Sequence, residues 1–117
     1  MPRASSVRVA YDDLRTLAFG GIGAAYAAVG TAFTNPVRLI KVTNSTNQDL
    51  LVSFDGVTDK DISPAQSQYV YDYGSNKADA GGLMEQPIGN RVYVKRAGLV
   101  DPASGTVYVT VIYAAQQ

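Results

Sequence analysis

The chain has 117 residues, and its ten Lys and Arg balance ten Asp and Glu to a formal net charge of zero. It contains no Cys, His or Trp, which excludes the usual general base, a thiol nucleophile, thiolate or imidazole zinc sites, and haem or iron–sulfur ligation. The absence of a basic excess argues against phosphate neutralisation as the main task. A charged fraction of only 17% points to a surface that meets other protein.

In chain order, Met1-Pro2-Arg3-Ala4-Ser5-Ser6 has no apolar run behind it and does not read as a secretory signal. Residues 1–20 are the least regular part and read as an arm, with a helical turn over Tyr11-Asp12-Asp13-Leu14-Arg15. Leu17–Phe33 is uncharged and near the lower length limit of a membrane span, but Gly and Ala dominate it, so it is not read as one. Gly23 and Gly30 bracket a piece of strand length around Tyr26 and Val29. Val37–Thr43 is a strand, with Val37, Leu39 and Lys41 on one side and Arg38, Ile40 and Val42 on the other. Residues 44–49 form a polar turn; within it Asn44-Ser45-Thr46 fits a glycosylation acceptor by pattern only.

Leu50–Phe54 is the next strand, followed by a loop over residues 57–67. Gln68–Tyr73 places Tyr69, Tyr71 and Tyr73 on one face. Residues 74–90 are Gly-rich, with Leu83-Met84 as a short strand or buried plug. Arg91–Arg96 is a half-buried strand with Val92 and Val94 inward. Thr106–Ala114 is the strongest strand and is apolar on both faces, so a second layer or another subunit must cover its far side. Six or seven short strands separated by turns predict an all-β, antiparallel, jelly-roll-like sandwich over residues 21–117, with an irregular N-terminal arm over 1–20.

Chemistry is sparse. Asp55, Asp59 and Asp61 share a loop, but their spacing does not match a calcium loop; turn shaping by Asp55-Gly56 and solvated carboxylates explain them. No Ser-x-x-Lys pattern exists, and Gly21-Ile22-Gly23 lacks the third glycine and the βαβ context of a dinucleotide site. No catalytic residue, metal or cofactor is therefore assigned, and neither nucleic acid nor membrane is expected as a partner. The tyrosines carry more information, because Tyr is amphipathic and enriched at interfaces. The candidate interface residues are Tyr69, Tyr71, Tyr73, Tyr93 and Tyr108, with Arg8, Tyr11 and Arg15 from the arm. A carbohydrate platform of Tyr69, Tyr71 and Tyr73 is the competing reading.

From Tyr26 onward the order of elements is familiar. It runs through Val29-Gly30, Asn35-Pro36-Val37-Arg38, Val42-Thr43-Asn44-Ser45-Thr46-Asn47-Gln48-Asp49 and Val52-Ser53-Phe54-Asp55-Gly56. Tyr71-Asp72-Tyr73-Gly74-Ser75-Asn76-Lys77, Arg91-Val92-Tyr93-Val94-Lys95-Arg96 and the run from Ser104 to Ala114 follow. In this order the chain resembles small virion proteins of tailed bacteriophages, although residues 1–20 carry none of the likeness. The resemblance implies a β-sandwich subunit that assembles in many copies on a capsid or at its neck, and it brings no catalytic residues. The expectation is a non-enzymatic virion protein, made in the bacterial cytoplasm, that decorates and cements the head. It would form homo-oligomers, most simply trimers, and contact the major capsid protein. A neck or tail ring protein is the alternative within this class.

Overall fold

The computed structural model describes residues 8–73 and 86–115, and its fold is all-β. The strands are β1 (Arg8–Tyr11), β2 (Arg15–Ala18), β3 (Ala27–Ala28), β4 (Val37–Asn44), β5 (Leu50–Ser53), β6 (Asp61–Ser63), β7 (Ser67–Asp72), β8 (Tyr93–Arg96) and β9 (Thr106–Ala115). They form two antiparallel sheets packed as a sandwich. The five-stranded sheet has the order β1-β9-β4-β7, and β2 takes the place of β1 along the first half of β9. The four-stranded sheet has the order β3-β8-β5-β6.

Most of the strands reflect β-branched residues at alternate positions, which suit a pleated, half-buried surface. In β9, Val107, Val109 and Val111 are fully buried. From the opposite sheet, Leu50 and Val52 of β5 meet them together with Val92 and Val94 of the β8 segment. Phe33, Val29 and Ile22 complete the core along the side of β8. Each such side chain contributes roughly 1.5–3 kcal/mol by leaving water, so the core is built from many medium-sized pieces.

Four details differ from the sequence reading. Residues 8–18, expected as an irregular arm with a helical turn, are extended and paired with β9. The turn chemistry of Asp12-Asp13 instead bulges the edge, and the Asp12 amide still donates to Val111 O at 2.9 Å. The strand expected around Tyr26 and Val29 shortens to Ala27–Ala28. The expected loop 57–67 contains β6, paired with β5. In β4 the register slips between Val37 and Leu39, a β-bulge, so Val37 and Ile40 both point inward. Strict alternation predicts them on opposite faces, and one extra residue in a strand inverts every side chain beyond it. The proposed Leu83-Met84 plug lies outside the described residues.

Candidate interaction surface

The two outer faces of the sandwich are built differently. Over the four-stranded sheet the chain lays its own loop. Asp55 accepts the amides of Val57 and Thr58, both at 2.8 Å, and the Ser53 hydroxyl at 2.7 Å. These donors, the Thr58 amide foremost, hold its carboxyl well below the usual carboxylate range. Gly56 then lies against the Tyr93 ring, where a Cβ would sit 3.2 Å from a ring carbon. Farther along, Asp59 accepts the Tyr26 hydroxyl at 2.5 Å and faces Lys95 Nζ at 3.6 Å, while Lys95 stands 4.6 Å above the Tyr26 ring. The Tyr26 bond, then Lys95, lowers the Asp59 pKa; burial, then Asp59, raises that of Tyr26. The polar groups of this face are satisfied by its own chain, while Ile62 of β6, on the same face, is 46% exposed.

The outer face of the five-stranded sheet has no such roof among the described residues. Register places its side chains in cross-strand rows, because directly paired residues share a face. Tyr11, Ile112, Leu39 and Asp72 form one row. Thr110, Lys41 and Val70 form the next, and Thr16, Tyr108, Thr43 and Gln68 the third. Three of the apolar members are open to solvent, Tyr11 at 71%, Val70 at 55% and Tyr108 at 36%, while Leu39 and Ile112 are half-buried. Lys41 is the charged group nearest the centre. No ion pair of it is found among the described residues.

The structure distributes the sequence candidates widely. Tyr108 and Tyr11 lie on this open face. Tyr93 lies on the opposite face under Gly56, with Arg91 5.8 Å from its ring. Tyr69, Tyr71 and Tyr73 do share a face, and it is the inner one, since Tyr71 pairs with buried Ile40 and Tyr69 with buried Val42; on the edge strand β7, Tyr69 nevertheless stays 44% exposed. Tyr71 meets Phe54 edge-on at 5.8 Å and donates its hydroxyl to Asp61 of β6, joining the two sheets at one side of the sandwich. Burial, and then that bond, push the Tyr71 hydroxyl pKa well above its ordinary value. The Tyr73 hydroxyl accepts from Gln86 at 3.1 Å, and burial raises its pKa. Arg8 is placed by register opposite Ala115.

Arg15 is the largest departure from the interface reading. It is 6% exposed and turned inward. Its Nε donates to Thr31 O at 2.8 Å, and Nη2 to Ala32 O and Asp12 Oδ2, both at 3.2 Å. The guanidinium lies 5.3 Å from the Phe33 ring. It clamps the β2 edge to the segment after β3, so its donors serve this chain. An open cleft of ≈ 490 Å³ beside it is lined by Asp12, Asp13, Leu14, Thr16, Thr31 and Thr34.

The remaining polar motifs are also structural. Asn44 is 1% exposed; its amide nitrogen donates to Gln48, Ser63 and Pro64 carbonyls, and its oxygen accepts from the Thr46 amide and hydroxyl. That saturation, and not an attached sugar, explains the Asn-Ser-Thr run. Asp55, Asp59 and Asp61 each bond different partners, and among the described residues no three metal-ligating side chains converge.

Sequence reasoning missed Leu39, Lys41, Val70 and Thr110 as surface residues. The available signal was the two-sided apolar character of β9, which does not say which neighbours flank it. No protein-family model, curated protein or solved structure matches this chain.

Proposed function

We propose that this chain is a non-enzymatic structural subunit of a tailed-phage virion, a decoration or cement protein whose subunit contacts use the outer face of its five-stranded sheet. The observation that carries the adhesion surface is the exposed set of Tyr11, Val70 and Tyr108, with half-buried Leu39 and Ile112 in the same rows beside threonine side chains, on the sheet that holds the central strand. Exposed apolar rows of this kind mark contact surfaces. The low charge density supports the same reading, and the virion assignment rests on the order of sequence elements. A sugar platform of three rings is poorly supported, because Tyr71 and Tyr73 pack against the core with engaged hydroxyls and leave only Tyr69, 44% exposed, open to solvent.

The test is co-sedimentation with tailed-phage capsids lacking their decoration protein, with bound copies counted per particle. Hundreds of copies indicate cement, and about a dozen a ring. Val70→Glu is expected to abolish pelleting. Wild-type chain that pellets with no particle overturns the virion reading, and a Val70→Glu chain that pellets normally overturns the surface.

A further inference from the structure

We infer that the open face of the five-stranded sheet is occupied by the same face of a second copy, related by a two-fold axis that runs across the strands between the Leu39 row and the Lys41 row. This rests on the reading of that face as an adhesion surface and names its partner. Three observations carry it.

Size is the first. Three cross-strand rows over four strand positions span roughly 20 Å by 20 Å with side chains included. Stacking two such faces removes on the order of 600–700 Å² of accessible surface per copy, which reaches the lower part of the range for stable specific interfaces. Extended sheets stack well at about 10 Å separation.

Charge is the second. Lys41 stands inside the face with no ion pair among the described residues. Asp72, which is engaged within its own chain, lies one row away on the neighbouring strand, since Leu39 pairs with Asp72 and Lys41 with Val70. A two-fold axis between those rows sets Lys41 over the Leu39 row of its partner, beside Asp72. The symmetry makes the same contact twice, as an isologous interface requires. A flat partner without an acidic group at that position would bury Lys41 unpaired.

Exclusion is the third. On the other outer face the Asp55–Asp59 segment lies over Tyr93 and bonds Tyr26, Ile62 stands exposed near the edge, and both edge strands of that sheet, β3 and β6, have only two and three residues. Neither offers a comparable surface.

The experiment is light scattering on the full chain across a concentration series. The expected result is a species of twice the 12.4 kDa chain mass. Lys41→Glu sets like charges together and is expected to raise the dissociation constant at least about 100-fold. The double variant Lys41→Glu/Asp72→Lys is expected to return it to within about tenfold of wild type, because the pair is reversed and not removed. Thermal melts establish that each variant is folded. If Asp72→Lys does not fold, Val70→Glu against Val57→Glu decides: the former dissociates the pair, and the latter, on the opposite sheet, does not.

A wild-type chain that is monomeric at every concentration, or a trimer or larger ring, overturns the two-fold pair. So does a folded Lys41→Glu chain that dimerises as tightly as wild type. A monomer that still pellets with capsids through Val70 fails this inference while the virion reading stands. A dimer that pellets with no capsid does the reverse.

Discussion

Gly105 shows how a single position can hold two loops together. Its φ is +92°, a region that L side chains avoid, and a Cβ there would lie 2.1 Å from the Ser45 carbonyl oxygen. Around it the Ser45 hydroxyl donates to Thr106 O and accepts the Thr106 amide, and the Phe19 amide donates to Gly105 O. Backbone must move to admit a methyl group, so Gly105→Ala is expected to cost about 3–5 kcal/mol by chemical denaturation. Gly98, with nothing within 4 Å of its ideal Cβ, is the control and should change stability by less than about 0.5 kcal/mol on mutation to Ala. Arg15 acts through donors. Arg15→Ala strands the Thr31 and Ala32 carbonyls and the Asp12 carboxylate, and a loss of about 3 kcal/mol is expected. Hydrogen exchange should show β2 amides losing protection ahead of those of β4. Arg15→Lys should recover only part of the loss, because an ammonium cannot reproduce the fork. The sequence shows the glycine and the arginine but not these roles. Ser45 is 60 positions from Gly105, and Thr31 is 16 from Arg15.

At the scale of elements, the contact between β6 and β7 sets a pH dependence. Tyr71 holds its proton in the folded state well above the ordinary tyrosine value, through burial and the bond to Asp61. The unfolded chain releases that proton near pH 10. Above about pH 10 the unfolded state therefore binds fewer protons, and stability falls as pH rises. Asp55 has the opposite sign. Its folded pKa is depressed by the Thr58 amide, the Ser53 hydroxyl and the Val57 amide, so its contribution is present above about pH 4 and lost as pH falls below it. Melting temperature against pH should be flat from about 5 to 9 and decline on both sides. Tyr71→Phe keeps the ring against Phe54, reduces the alkaline decline and costs about 1 kcal/mol at neutral pH. An alkaline slope unchanged in that variant would remove Tyr71 from the explanation. The sequence placed the three tyrosines on one face correctly. It did not show that the face is internal, because β-strand period alone does not say which side another sheet covers.

For the molecule as a whole, the decisive feature is asymmetry between two outer faces. Both carry tyrosine and apolar groups, yet one has a loop of its own chain laid over its Tyr93, and the other has no such loop among the described residues. Zero net charge removes long-range repulsion between copies. The open face then meets little electrostatic resistance to stacking, which is the physical ground for the paired arrangement proposed here. The connections reinforce the asymmetry: β4 to β5, β6 to β7 and β8 to β9 each pass from one sheet to the other, so the sandwich closes on itself.

The sequence by itself determined the fold class, the positions of the strongest strands and the inward valines, because β-branched alternation and Gly, Pro and Asn punctuation are local signals. It also indicated that β9 needs covering on both faces. Tertiary structure alone decided that residues 8–11 and 15–18 are strands, since their pairing depends on β9 about a hundred positions later. It decided the β4 bulge, the burial of Arg15 and which tyrosines reach the surface. Each of these follows from the register between distant segments, and register is set by the packing of the whole core rather than by any single stretch of residues.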